Sequence, residues 1–335
     1  MILDGFSAAA IARAATVIGA GELLGLPTET VYGLAADADN VAAVARIYQA
    51  KGRPPAHPLI VHVLNAASVT HYAAEVPDFA RALMQAFWPG PLTLILPRRP
   101  EVAAAAAGGQ NSIGLRCPSH PVAQALLQVC QTLMPPVWGV AAPSANQFGR
   151  VSPTTARHVQ GEFEADLLIL DGGPCAVGIE STIIDCTRGV PVLLRPGAIS
   201  RAQAQAASGQ TVFLKEELTA QALPAPRASG TLESHYAPRA RVRLMDGPAL
   251  QLALAGLNPA DTAPGIALYT RSERPPKVRQ CLHQRMPDDA VNAARELFAV
   301  LRALDAPGVK VIWIEAPPEH PDWDGVRDRL QRAAA

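Results

Sequence analysis

The chain has little that marks a secreted, membrane-spanning or metal-built protein. Its five cysteines (Cys117, Cys130, Cys175, Cys186 and Cys281) are odd in number and scattered, with no CxxC pair. That pattern argues against a zinc ribbon or a disulfide framework and for reduced, buried thiols. No apolar run reaches the roughly 18 residues of a membrane span. The opening MILDGFSAAAIARAA lacks the basic start and cleavage pattern of a signal peptide. A cytoplasmic protein with no membrane partner is expected. Neither sign of charge is in excess: Lys plus Arg number 29 and Asp plus Glu 29. Division at Ser200 leaves 12 basic against 14 acidic residues before it and 17 against 15 after it. This balance disfavours an extended nucleic-acid track but permits a local basic pocket. The common signatures of phosphate loops, nucleophile elbows and zinc proteases (GxxxxGK[ST], GxGxxG before a helix, GxSxG, HExxH) are missing too. Chemistry by positioned charge, without a covalent side-chain intermediate, fits what remains.

What is present is an α/β pattern. With 335 residues, 49% hydrophobic and 17% charged, the chain has core for two domains. Short apolar runs alternate with helical periodicity. Ser7 caps a predicted helix to about Ala20, and Asn40 one through Gln49. Strands are expected at Glu22–Leu26, Leu59–Val63, Leu92–Leu96, Ile113–Arg116, Val137–Ala142, Leu167–Leu170, Thr182–Asp185 and Val192–Leu194. Helices are expected at Phe79–Phe87, Pro121–Gln131 and Thr154–Gln160. From Ala202 to Arg239 the Ala-, Gln- and Pro-rich texture reads as a linker rather than a packed element. A second series follows, with strands at Arg241–Met245, Ile266–Thr270 and Val309–Ile314 and helices at Asp289–Leu304 and Asp324–Arg332. The domains are thus read as 1–201 and 240–335, joined by 202–239.

Polar residues cluster where the strands of the first domain end, the usual ligand position in open α/β sheets. LPTETVYGLAAD holds Thr28, Glu29, Thr30 and Tyr32; KGRPPAHPLIVHV holds Lys51, Arg53, His57 and His62. Arg116 ends NSIGLRCPSHP, Ser144 and Asn146 lie in APSANQFG, Ser181 in ESTIID and Arg195 in LLRPG. Lys51 supplies a compact charge and Arg53 a planar fork, both suited to phosphate oxygens, while Arg116 suits a carboxylate. These charges are expected to be exposed in the pocket, so that their removal leaves the fold intact. Each has a bland alternative: a solvated Lys-x-Arg pair, a turn or cap at SxN, a core histidine at His62, a strand-end charge at Arg195. Spacing alone reaches a phosphate-binding α/β enzyme and no further.

Taken in order, LPTETVYGLAADA, KGRPPAHPLIVHV, WPGPLTLIL, GLRCPSHP, APSANQFG, GIESTIID and LLRPGAI resemble the motif series of the YrdC/Sua5 family, covering about Gly21 to Ile199. HYAP at His235–Pro238, followed by a second α/β series, resembles the long Sua5-type member. The resemblance implies a YrdC-like open, twisted mixed sheet with helices and a smaller, Rossmann-like C-terminal domain. It implies joining of L-threonine, bicarbonate and ATP into L-threonylcarbamoyladenylate with release of pyrophosphate. The product would go to a threonylcarbamoyl transferase, for t6A at position 37 of tRNAs.

By residue-wise matching, the family's KxR…SxN signature is Lys51, Arg53, Ser144 and Asn146, implied at the ATP phosphates, with Lys51 and Arg53 catalytic. Ser112 and Arg195 fall at nucleotide-contact positions, and His57 replaces the common Asn before Pro-Leu-Ile. His235 belongs to a linker implied to fold over the site. Thr30, His62, Arg116 and Ser181 are implied at threonine, Arg116 on its carboxylate. No carboxylate pair reads as a metal site, so no metal ligand or cluster is expected, and Mg²⁺ would travel with the ATP phosphates. Before HYAP, Thr231-Leu232-Glu233-Ser234 replaces the family's usual basic and aromatic residues. Two rivals stand beside this reading. One is a hydrogenase-maturation-type carbamoyltransferase, which would bring zinc-finger cysteines and an acylphosphatase unit. The other is a non-catalytic RNA-binding module, which would leave the pocket arginines far apart.

Overall fold

The computed structural model describes residues 1–163, 165–218, 225–231, 235–257, 265–272 and 281–335. They form two compact units, one of residues 1–148 and 152–231, the other of 149–151 and 232–335.

The strands of the first unit are β1 (Ile2–Asp4), β2 (Leu24–Leu26), β3 (Gly33–Asp37), β4 (Ile60–Val63), β5 (Leu92–Pro97), β6 (Ser112–Arg116), β7 (Gly139–Ala141), β8 (Leu168–Asp171), β9 (Thr182–Asp185), β10 (Val192–Arg195) and β11 (Phe213–Leu214). Among the described residues they make one mixed sheet in the order β1-β8-β2-β3-β7-β4-β6-β5-β9-β10-β11. The helices are α1 (Ala8–Gly19), α2 (Val41–Lys51), α3 (Val69–Tyr72), α4 (Asp78–Phe87), α5 (Pro121–Cys130), α6 (Ala156–Gln160) and α7 (Arg201–Ser208). Two apolar clusters hold them to the sheet. One gathers Ile11, Ile18, Leu126 and Leu127 of α1 and α5 with Leu24, Val140 and Leu170; the other gathers Val44, Ile47 and Leu83 of α2 and α4 with Val61, Leu94 and Leu115. Buried strands with few polar residues are what a sheet covered by helices requires.

Local signals explain several boundaries. The Asn40 side chain accepts from Ala43 N at 3.1 Å, capping α2. Gly52, at φ +60°, ends that helix in the left-handed conformation, which leaves Lys51 on its last turn. The expected strands and helices recur with shifts of one or two residues at most ends. β3 was hidden inside the LPTETVYGLAAD block. The linker reading of residue 202 onward is corrected: Arg201–Ser208 is helix α7, with a reciprocal capping box between Ser200 and Gln203, and Phe213–Leu214 adds a strand. Ala204 packs in the core, so burial overrode a composition that looked like tether. Residues 219–224 and 232–234 of the expected linker lie outside the described residues.

The second unit contains β12 (Arg241–Met245), α8 (Gly247–Ala255), β13 (Ile266–Thr270), β14 (Leu282–Arg285), α9 (Ala290–Leu304), β15 (Val311–Glu315) and α10 (Asp324–Ala334). Its sheet runs β12-β15-β13-β14, every described pair parallel, a Rossmann-like arrangement with α8 and β14 beyond the expected elements. Cys117, Cys130, Cys175 and Cys186 are buried free thiols and Cys281 is half-buried. No described helix is long and apolar enough to cross a membrane.

Candidate active site

Register builds the site. His62 on β4 pairs with Arg116 on β6, and Arg116 pairs with Thr93 on β5. Paired residues project to the same face of a sheet, so three polar side chains stand in a row across three strands. Ser181, just before β9, joins them: its Oγ lies 2.7 Å from Thr93 Oγ1. From the β2–β3 loop, Thr30 Oγ1 accepts from Arg116 Nη1 at 2.7 Å. Thr28 shapes that loop, its hydroxyl donating to Val31 O at 2.6 Å and accepting from the backbone of Thr30 and Val31 at 3.2 Å. The four residues assigned to threonine thus share one buried neighbourhood.

Glu29, quoted within a motif but given no role, belongs there too. Its Oε1 lies 2.7 Å from Arg116 Nη2, and both side chains are under 10% exposed. Burial pushes the Glu29 carboxyl up, but the Arg116 charge beside it holds it below its ordinary 4.5. His62 is 3% exposed. Burial first, then the Arg116 charge, lowers its imidazole to about 3, against an opposing effect of Glu29, so it is neutral at physiological pH.

The second group lies around Lys51, whose Nζ donates to Ser144 O at 2.6 Å and also to Asn146 O. The SxN element therefore presents its carbonyls to the lysine, which ties the two halves of the signature together through the backbone. Arg53 donates from Nη2 to Pro58 O at 2.9 Å and from Nε to His57 O at 3.4 Å, and its guanidinium lies 5.7 Å from the centre of the Phe148 ring. His57 stands edge-on to the same ring at 5.5 Å. The expectation of exposed pocket charges is corrected: Lys51 is 2% and Arg53 7% exposed, because the backbone of 57–58 and 144–146 wraps their heads. Burial, then the neighbouring Arg53 charge, lowers the Lys51 ammonium to about 7, with Glu162 opposing.

Arg195 bridges the two groups. It donates to Ser181 O from Nε at 3.0 Å and from Nη2 at 2.8 Å, and to Ser229 O from Nη1 at 2.9 Å. Arg53 Nη2 reaches Ser229 Oγ at 3.3 Å. Ser112 lies in a narrow cleft with Thr93, Gln110, Arg227 and Ser229. Gln110 clasps the backbone of Arg227 in both directions, at 2.7 and 3.1 Å. Gly197, after Arg195, explains the tight approach of LLRPG to ESTIID: a Cβ there would lie 2.5 Å from Thr182 N. Sequence reading missed Thr93, Phe148, Gln110 and Ser229. Phe148 and Thr93 stand inside the blocks APSANQFG and WPGPLTLIL, whereas only chain return brings Gln110 and Ser229 in.

His235 lies in the second unit. Its N donates to Arg332 O at 3.1 Å, and Tyr236, fully buried, packs 5.3 Å from the Phe298 ring and 5.6 Å from the Arg329 guanidinium carbon. Among the described residues no group of three His, Cys, Asp or Glu side chains is placed to hold a metal ion.

A family profile, Sua5_yciO_yrdC, described as telomere recombination, matches residues 16–197, and one for the threonylcarbamoyl-AMP synthase C-terminal domain matches residues 199–335. The chain is 35% identical to the threonylcarbamoyl-AMP synthase of Pyrococcus abyssi, over 96% of this chain and 93% of that one. It is likewise 35% identical to that of Bacillus subtilis, over 97% and 92%. It is similar to the crystal structure of P. abyssi Sua5 complexed with L-threonine, at a TM-score of 0.85 and 34% identity, covering 97% of this chain and 94% of that one. The chain belongs to the Sua5/YrdC family, in its two-domain, threonylcarbamoyl-AMP synthase form.

Proposed function

We propose that the two linked polar groups divide the work of an L-threonylcarbamoyladenylate synthase, the row on β4, β6 and β5 holding L-threonine and the Lys51–Arg53 group holding ATP. The observation that carries this reading is Arg195, which hydrogen-bonds Ser181 on one side and shares Ser229 with Arg53 on the other. A joined pair of subsites is what a condensation of two small molecules needs, and it does not suit the RNA-binding alternative, which required pocket arginines far apart.

The reaction would run in two steps. The neutral threonine amine takes up bicarbonate, forming the N-carboxylate and releasing water. A carbamate oxygen then attacks the α-phosphorus of ATP, forming the mixed anhydride as the bond to pyrophosphate breaks. Lys51 and Arg53 offset charge on the transferring phosphate and leaving group, with Ser112, Ser144, Asn146, His57 and Arg195 as further nucleotide contacts. Thr30, His62 and Ser181 orient threonine, and Arg116 pairs with its carboxylate. Mg²⁺ enters with ATP as part of the substrate, carried on the phosphates with mostly water ligands. The product passes to a threonylcarbamoyl transferase acting on tRNA, and the enzyme works in the cytoplasm. Incubation with ATP, bicarbonate and each amino acid in turn tests the reading: pyrophosphate release is expected only with bicarbonate and L-threonine. Orthophosphate release, or release indifferent to threonine, would overturn it.

The linker completes the site through Arg227–Ser229. This segment lies in the first unit, pinned by Gln110 and by the two arginines, where closure would shield a hydrolysis-prone adenylate from water. Trypsin cleavage after Arg227 is expected to slow when ATP and L-threonine are both present; equal rates with and without them would reduce the segment to a tether.

A further inference from the structure

In the row on β4 and β6 and the β2–β3 loop beside it, three buried side chains carry polar atoms with no hydrogen-bond partner: both carboxylate oxygens of Glu29, Nη2 of Arg116 and Nδ1 of His62. The Glu29–Arg116 pair is close, at 2.7 Å, but its atoms lack hydrogen-bond alignment. A buried ion pair left unsatisfied on both partners is costly. The other buried polar groups here are paired: Thr30 with Arg116, Thr93 with Ser181, Arg195 with Ser181. The unsatisfied set contains one anion, one cation and one neutral imidazole, side by side and electrically neutral overall. Its complement is a molecule that is itself neutral overall, with a cation and an anion two bonds apart.

We propose that Glu29 is a specificity-determining residue that receives the α-ammonium of the amino-acid substrate while Arg116 takes its carboxylate. The proposal deepens the threonine reading of this site and rests on the assignment of Arg116. A zwitterion laid against the pair adds no net charge to a buried place and supplies each ion with the hydrogen bonds it lacks. An amino group therefore enters as ammonium, fixed beside the Glu29 carboxylate, and gives up one proton to solvent before the neutral amine takes up bicarbonate. Once the amine carries the new N-carboxylate, the neighbouring Glu29 charge repels it and favours an orientation away from the carboxylate.

The test is calorimetric binding to the full chain of three probes: L-threonine, L-threoninamide, and the hydroxy acid in which a hydroxyl replaces the α-amine. The wild-type protein is expected to bind the hydroxy acid about 10–100-fold more weakly than threonine, the range for a lost hydrogen bond to a charged group. Glu29→Gln, which keeps the shape and an acceptor, is expected to weaken threonine and bring the two ligands within about threefold of each other. Equal wild-type affinity for threonine and the hydroxy acid would overturn the proposal. So would a variant that weakens both by the same factor, since Glu29 would then act only by holding Arg116. Threoninamide reads the underlying assignment separately: if it binds as well as threonine, the carboxylate role of Arg116 fails, while the hydroxy-acid comparison still judges Glu29. Should Glu29→Gln not fold, the wild-type comparison of threonine with the hydroxy acid decides alone.

Discussion

Replacing Lys51 by Met is expected to lower turnover by about 10²–10³-fold, the cost of losing one contact to charge that develops in the transition state, and to abolish a proton uptake linked to ATP binding. The second effect follows from burial. Desolvation and the Arg53 charge bring the Lys51 ammonium from its ordinary 10.5 to about 7, so at about pH 8 the free enzyme holds it largely neutral. A triphosphate placed beside it favours the charged form. ATP binding at that pH should take up close to one proton, measured from binding heats in buffers of different ionisation enthalpy. The uptake should fade below about pH 6, where Lys51 is already charged. The stability sign is the reverse of a paired lysine's: because the folded value lies below the unfolded one, Lys51 costs stability below about 7, and the cost is relieved as pH rises toward 10.5. Lys51→Met removes that pH dependence but also removes the lysine's hydrogen bonds to the Ser144 and Asn146 carbonyls, so a melting curve accompanies the assay. Absence of proton uptake in the wild type would mean that Lys51 is already charged in the free enzyme, and unchanged turnover in the variant would refute the phosphate role.

Arg116→Ala should raise the L-threonine requirement by about 10²-fold or more, as expected when one partner of a buried, hydrogen-bonded charge pair is truncated. It should also cost about 3–5 kcal/mol of stability, because Glu29 is left buried without its counter-charge. The two effects separate in the double variant Glu29→Ala/Arg116→Ala. Removing both charges should restore part of the stability, measured by denaturant unfolding, while threonine affinity stays lost. If apparent threonine affinity is unchanged in Arg116→Ala, the carboxylate assignment is wrong. If stability is unchanged, the 2.7 Å pair carries no weight in the fold.

Much of the architecture was legible in one sequence because its signals are local. Asn40 before an amphipathic run and Gly52 after it delimit α2 without reference to anything distant, and Thr182–Asp185 and Arg241–Met245 read as strands from apolar content alone. Helix α7 was misread although its capping box, Ser200 and Gln203, was in plain view; Ala and Gln favour helix, but composition cannot say whether such a segment finds a core to pack on. The ordered motif blocks sufficed for the family, since each block carries its signature in contiguous residues wherever the strands are placed.

The tertiary structure alone decided how those side chains are used. Strand register, not spacing, put His62, Arg116 and Thr93 in one row, and chain return brought Ser229 between Arg53 and Arg195. Burial could not be read from residue type: Lys51 and Arg53 look like solvent charges in sequence, yet the backbone around them removes the water. That desolvation is what lowers the Lys51 ammonium, while at Glu29 the neighbouring Arg116 charge outweighs it. Residue identities were thus set locally, while their electrostatics came from the low-dielectric surroundings that only the assembled fold supplies.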